Sequence, residues 1–145
     1  MREIEGEIEI AGEPDAVTAA FTDVQALKKW WGVREGLVDA RQGGVWSCTW
    51  DVPVDGFGFV ILAGRIRSLR PGEHLHIEDL LYFNRERPVL GPMRILLDIE
   101  PHENLSRIKV RQDGYGKDSD WDWYYGLAED NWPKALGKLK DFLEG

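Results

Sequence analysis

Three groups of residues in this sequence are of types that could do chemistry. His74-x-His76-x-Glu78 sets two imidazoles and a carboxylate at two-residue steps. Zinc needs ligands converging to within ~2.0–2.2 Å, and side chains leaving one strand in parallel rarely converge, so no metal is expected there. Asp118-x-Asp120-x-Asp122, with Glu129 further on, superficially resembles a calcium loop. Its sixth position holds Trp123 instead of the glycine that permits the sharp turn, and carboxylates at a helix start are explained by the helix dipole. Cys48 is the one cysteine. It falls on the inward side of a predicted strand, where a thiol is usually a small hydrophobe. No glycine-rich phosphate cradle precedes a helix, and no Ser/His/Asp set has local signature spacing. Glu100, Asp79 and His76 could still meet in a cavity, but no catalytic residue is assigned and no cofactor is expected.

The balance of 18 basic against 26 acidic residues gives a net charge of −8. Nucleic-acid binding requires a positive field to displace counterions, and no basic cluster of that size is present. A polybasic membrane patch is missing for the same reason, and no apolar run approaches a membrane span. A lone cysteine excludes an intramolecular disulfide, and the N-terminus has no apolar signal region, so a cytoplasmic protein is expected. The 145 residues fit one domain, residues 1–145. Seven tryptophans are the compositional outlier. An indole brings a large apolar area and one N–H that needs a partner, which suits a heavy core, a lined pocket or an interface.

Those residues need a scaffold, and the patterning describes one. Ile4, Gly6, Ile8 and Ile10 alternate with Glu3, Glu5, Glu7 and Glu9, as in a strand with one wet face. After Gly12-Glu13-Pro14, the residues Val17, Ala20 and Phe21 give a short helix an apolar stripe; Asp23 can cap a second one, which Gly32 ends. Gly43-Gly44 turns the chain into a strand that places Trp46, Cys48, Trp50 and Val52 on one face. Asp55-Gly56 is a hairpin signal into a strand over Phe57 to Leu69. Pro71-Gly72 leads into His74 through Phe83, and Asn84 to Pro92 reads as a looser loop. Met93 to Glu100 and Leu105 to Gln112 form a further hairpin, so the strands are predicted to make an antiparallel meander. From Trp121, apolar residues recur at helical steps through Tyr125, Ala128, Trp132, Leu136 and Leu139. Pro133 inside that pattern predicts a kink or restart, with Asp130 or Asn131 as a cap.

Within this order, Ala11-x-x-Pro14, Phe21-Thr22-Asp23 and Leu27-x-x-Trp30-Trp31-Gly32 resemble the opening signature of the START-like (SRPBCC, helix-grip) superfamily. The nearest branch is similar to the activator of heat-shock-protein-ninety ATPase (AHSA) homologue family. Gly43-Gly44 before a Trp-rich strand, Gly64 ahead of Leu69-x-Pro71, the run Ser106 to Tyr115, and Asn131-Trp132-x-x-x-Leu136-x-x-Leu139 continue the match from about residue 4 to 144. Gln112 stands where many relatives have a histidine, and Asp79 where an aromatic is common. The resemblance implies an α+β helix-grip fold: a bent seven-stranded antiparallel sheet around a long C-terminal helix, with two short helices after the first strand. It also implies a cavity between sheet and helix.

A bent sheet and one helix cannot bring all their apolar side chains together, so the gap is filled by aromatics or left for a ligand. The candidate lining is Trp30, Trp31, Trp46, Trp50, Phe59, Ile95, Leu97, Val110, Gln112, Trp121, Tyr125 and Trp132, with Gln112 and Asp79 as polar anchors. The competing account uses the same residues as packed core. The functional expectation is binding of a hydrophobic small molecule, lipid-like or aromatic. The alternatives are a cyclase or aromatase-type enzyme using the same cavity, and a co-chaperone or stress-response module with a protein partner. Nucleic acid and membrane are not expected as partners, and the chain is expected to be a monomer or homodimer.

Overall fold

A seven-stranded antiparallel sheet in the order β1-β7-β6-β5-β4-β3-β2 wraps one long helix in this computed structural model, which describes residues 2–52 and 58–145. The elements run β1 (Glu3–Ile10), α1 (Pro14–Thr22), α2 (Val24–Trp30), β2 (Glu35–Val38), β3 (Val45–Val52), β4 (Gly58–Arg70), β5 (His74–Asn84), β6 (Leu90–His102), β7 (Leu105–Asp113) and α3 (Ser119–Glu144). Strands β2 to β7 form the expected meander, and β1 closes it by pairing with β7 from Glu3↔Asp113 to Ile10↔Ser106. The alternation in β1 now has a cause. Ile4 and Ile10 are buried toward the helix, while the glutamates line the outer face, where Glu7 pairs with Arg107 and Glu3 with Arg111. Such exposed pairs contribute little each, so the inward isoleucines set the register.

The two short helices are bounded as their sequences require. Pro14 opens α1, and the Asp23 side chain accepts from the Gln25 N–H at 2.9 Å to cap α2. Asp118 caps α3 in the same way, accepting from the Trp121 N–H at 3.1 Å. No restart occurs at Pro133: α3 runs 26 residues without interruption, and neither Asp130 nor Asn131 caps it. Pro133 and Glu129, the residue whose carbonyl loses its partner, are both exposed, so water can satisfy the freed group. Asp130 instead pairs with Lys134 along the helix surface.

One further expectation is corrected, and one strand is added to those expected. The loop over Asn84 to Pro92 is shorter than the prolines suggest, because Asn84 ends β5 and Leu90 to Pro92 already belong to β6. Strand β2 was not anticipated; its four residues form the sheet edge, and its apolar Leu37 falls on the outer side at 64% exposure, so hydrophobic alternation does not mark it. The hairpin signal Asp55-Gly56 and the strand start at Phe57 lie outside the described residues. Among the described residues, no helix is long and apolar enough to cross a membrane.

The pairing of β4 with β5 is irregular at mid-strand. The β4–β5 register shifts between Ala63 and Arg65, and Asp79 adopts φ 52° in the bulge. Gly64 faces that bulge so closely that a Cβ there would stand 2.8 Å from the Glu78 carbonyl oxygen. At Gly6, by contrast, a Cβ would meet the tip of the Leu136 side chain of α3 at 2.9 Å. Backbone cannot yield as a leucine tip can. Gly64→Ala is therefore expected to lower the unfolding free energy by about 1–3 kcal/mol, and Gly6→Ala by clearly less, in urea titrations.

Candidate functional site

Between the concave side of the sheet and the middle of α3 lies a cleft of about 600 Å³, open at one side. Its sheet wall is built from Trp50, Val60, Leu62 and Tyr82, and its helix wall from Trp123, Tyr124, Ala128, Trp132 and Ala135. Trp31, the C-cap residue just after α2, closes one end. Asp51, Asn84, Leu127, Asn131, Lys134 and Lys138 stand around the rest of it. Strand pairing explains the sheet wall: Trp50 lies opposite Val60, and Cys48 opposite Leu62, so alternate residues of β3 and β4 share the inner face. The residues 128, 132 and 135 follow the three- and four-residue steps of one helix face, and alanine at two of them leaves the space unfilled.

The aromatic end of the cleft is tightly organised. Trp31 stacks on Trp30 at 4.8 Å and meets Phe21, Trp46, Trp50 and Trp132 at centroid distances of 5.8, 6.3, 5.1 and 5.5 Å. Each buried indole finds the acceptor it needs. Trp30 donates to the Ala20 carbonyl at 2.8 Å, Trp46 to that of Phe21 at 2.8 Å, and Trp50 to that of Trp31 at 2.9 Å. Trp132 differs, since its N–H donates to a side chain, the Oε1 of Gln112, at 2.8 Å.

Gln112 is the polar centre of the cleft. It is 1% exposed, and its amide nitrogen donates to the Tyr124 hydroxyl at 3.0 Å and to the Met93 sulfur at 3.4 Å. Burial holds the Tyr124 phenol well above its ordinary range, with the Gln112 bond pulling the other way. Tyr82 is raised likewise, chiefly by burial. Both stay protonated across ordinary pH. Tyr82 packs on Tyr124 at 4.6 Å, and its oxygen accepts from the Asn84 amide at 3.3 Å. Arg87, in the β5–β6 turn, lies 3.8 Å over the Trp123 ring and bonds Asp120 at 3.0 Å, tying that turn to α3.

Four of the candidate residues therefore meet at the cleft: Trp31, Trp50, Gln112 and Trp132. Trp30 and Trp46 pack behind it, in the core. Ile95, Leu97 and Val110 face inward but are covered by neighbours, at 3%, 1% and 1% exposure. Phe59 points outward; it pairs with Asp51 across the hairpin and packs against Arg34, opposite in parity to the cleft face. Asp79 is not an interior anchor: the bulge turns it to solvent, where it bonds Arg65 at 3.0 Å. Trp121 and Tyr125 pack with Tyr115 near the start of α3, and Tyr125 carries Arg2 on its ring at 4.9 Å.

The cleft also takes Tyr82 and Tyr124, and with them Val60, Leu62 and Trp123, none of which is among the candidate residues. Strand parity through β4 and β5 was the signal for Tyr82. For Tyr124, aromatics at 121, 123, 124 and 125 leave the phase of the helix face ambiguous.

The remaining motifs have other partners. His74 bonds Ser68 at 2.6 Å, His76 bonds Asp98 at 2.9 Å, and Glu78 lies near Arg65 and Arg67. Asp118 caps α3, while Asp120 and Asp122 bond Arg87 and Arg2. Among the described residues, no group of three or more His, Cys, Asp or Glu is placed to hold a metal ion.

A bent seven-stranded antiparallel sheet holding a long C-terminal helix, with two short helices after the first strand, is the helix-grip architecture of START-like proteins. Within that class the chain belongs to the AHSA1 family, whose model, described as Activator of Hsp90 ATPase homolog 1-like protein, matches residues 12–144. Among solved structures it is similar to protein CV1439 from Chromobacterium violaceum, with 22% identity, TM-score 0.76, and coverage of 100% of this chain and 99% of that one. It is also similar to the Aha1 dimer from Colwellia psychrerythraea, with 19% identity, TM-score 0.74, and coverage of 99% and 97%. The AHSA1 protein SPO3351 from Silicibacter pomeroyi shares 19% identity at TM-score 0.76, with coverage of 97% and 96%. At these identities the likeness concerns the fold. No curated protein sequence matches significantly.

Two outcomes follow from this geometry. Gln112→Leu strands the Trp132 N–H and removes a donor from Tyr124, so the unfolding free energy is expected to fall by about 1–3 kcal/mol in urea titrations. Burial pushes the Cys48 thiol from its ordinary 9.0 up to about 12. In the unfolded chain the thiol loses its proton first as pH rises, so this group is expected to lower stability progressively between about pH 9 and 12. Cys48 is also expected to resist a disulfide reagent at pH 8 until the protein is unfolded, which thiol titration with and without denaturant checks.

Proposed function

We propose that the cleft binds a hydrophobic small molecule, lipid-like or aromatic, between the sheet and α3. The observation that carries this reading is the unfilled space beside Ala128 and Ala135, walled by aromatics around the buried amide of Gln112. A volume near 600 Å³ falls within the range of small-molecule sites, about 300–1,000 Å³. Apolar walls would supply the binding free energy, and a few polar groups would fix orientation.

The geometry gives less support to a cyclase or aromatase-type enzyme. Among the described residues, no histidine lines the cleft, and its one carboxylate, Asp51, is bonded to Arg34 at the rim. A working role for the outer surface alone, as in a co-chaperone, would leave the space between sheet and helix without a use. The family description and the dimeric Colwellia structure keep a protein partner or a homodimer within reach of the same chain. Neither reading accounts for the cleft.

Native mass spectrometry and tryptophan-fluorescence titration against fatty acids and polycyclic aromatic ligands test the proposal. Binding with a change in emission is expected, since Trp31, Trp50, Trp123 and Trp132 line the site. Ala135→Trp should fill the cleft and abolish binding while leaving the circular dichroism spectrum unchanged. No binding by any member of either class would overturn the proposal.

A further inference from the structure

The polar groups of the cleft can be read for direction, because two of their partners can only donate. The Trp132 indole N–H has no acceptor capacity, so the Gln112 atom it meets at 2.8 Å is the amide oxygen. The Gln112 nitrogen must then face the Tyr124 hydroxyl at 3.0 Å, and it too can only donate. Tyr124 Oη is therefore an acceptor in that bond, and its single proton is unspent.

The same logic runs independently on the sheet side. The backbone N–H of Glu86 donates to Asn84 Oδ1 at 3.0 Å, which turns Asn84 Nδ2 toward the Tyr82 hydroxyl at 3.3 Å. Tyr82 Oη accepts, and its proton is also left over. Neither hydroxyl has an acceptor among the described residues, both tyrosines line the cleft, and their rings are 4.6 Å apart. Both residues are 4% exposed, so bulk water does not serve them freely.

Resting on the cleft as a ligand site, we infer that Tyr82 and Tyr124 form a paired hydroxyl-donor station that selects ligands carrying a carbonyl oxygen on a planar apolar body. An sp² oxygen accepts two hydrogen bonds along its two lone-pair directions and brings no proton of its own. An alcohol also accepts, but it brings a proton that needs an acceptor of its own, whereas a carbonyl oxygen uses both phenol protons and leaves nothing to satisfy. The cations that line the cleft, Lys134 and Lys138, are exposed, so a carboxylate is better held at the open side than beside the buried phenols. Burial keeps both phenols protonated, so the station is always set to donate. The aromatic walls favour a conjugated ring system, so the ligand class is an aryl ketone or a quinone.

The test uses two probes, 6-propionyl-2-(dimethylamino)naphthalene and its 6-propyl analogue, which differ in the carbonyl alone. The ketone is expected to bind roughly 5- to 50-fold tighter than the propyl compound, with its carbonyl stretch moved to lower frequency. Tyr82→Phe and Tyr124→Phe should each weaken the ketone roughly 3- to 10-fold and affect the propyl compound distinctly less. Asn84→Asp tests direction while keeping both tyrosines. The introduced carboxylate can only accept, so it should capture the Tyr82 proton and weaken the ketone as Tyr82→Phe does. Thermal melts check that each variant is folded. Equal affinity for the two probes, or equal losses for both in the tyrosine variants, would overturn the carbonyl station while leaving a hydrophobic site intact. Failure of both probes to bind wild-type protein would overturn the inference, and the broader ligand panel then decides whether the cleft binds anything.

Discussion

The Gln112 amide is a fully buried polar junction between sheet and helix, and the interior depends on it. It sits on β7 under α3, at 1% exposure, with its oxygen held by Trp132 and its nitrogen shared between Tyr124 and Met93. A buried amide is tolerated only when its groups are satisfied, and satisfaction here requires the helix to keep one rotation and one height against β7. Apolar packing alone would allow α3 to slide or roll by small amounts. The amide removes that freedom, and in doing so it holds Tyr124 and Trp132 on the wall of the cleft.

The cleft itself follows from the mismatch between a bent sheet and a nearly cylindrical helix. Gly64 and the bulge at Asp79 let β4 and β5 turn sharply, so the sheet curls around α3. Near β1, Gly6 allows the helix to lie close to the sheet, with Leu136 filling the contact. Toward β3 and β4 the two surfaces diverge, and Ala128 and Ala135 contribute too little volume to close the gap. Trp31 fills one end of it only. Interiors are usually packed to crystal density, so this gap walled by large aromatics beside alanines departs from the packing of the rest of the core.

Charge is separated from this interior. The outer face of β1, β6 and β7 carries a ladder of Glu and Arg or Lys side chains, including Glu7–Arg107 and Glu100–Lys109, all in contact with water. The helix dipole explains the acidic start of α3, where Asp118 caps the backbone and Asp120 and Asp122 reach arginines from other elements. The three histidines take part in sheet-surface and turn contacts away from the cleft. The charged residues that line the cleft, Asp51, Lys134 and Lys138, are exposed, and the buried polar groups at its centre, Gln112, Tyr82 and Tyr124, are neutral. Membership of the AHSA1 family is consistent with this arrangement without naming what enters it.

Local patterning alone determined six of the seven strands, the two short helices, the cap at Asp23 and the helical character of the chain from Trp121 onward, because these depend on periodicity and on groups a few residues apart. It also placed Trp31, Trp50, Gln112 and Trp132 inside. Tertiary structure decided which inward residues touch empty space and which touch each other, a distinction without a local signal. Trp30, Trp46, Ile95, Leu97 and Val110 became core, because neighbours from other elements cover them. The register of the β3–β4 hairpin put Phe59 outside and Val60 inside, and a bulge turned Asp79 to solvent. Pro133 would break an isolated helix, yet α3 runs through it, held by the buried face that packs on the sheet. The phase of an aromatic-rich helix start chose Tyr124 over Tyr125, and only the partner across the gap, Gln112, could make that choice.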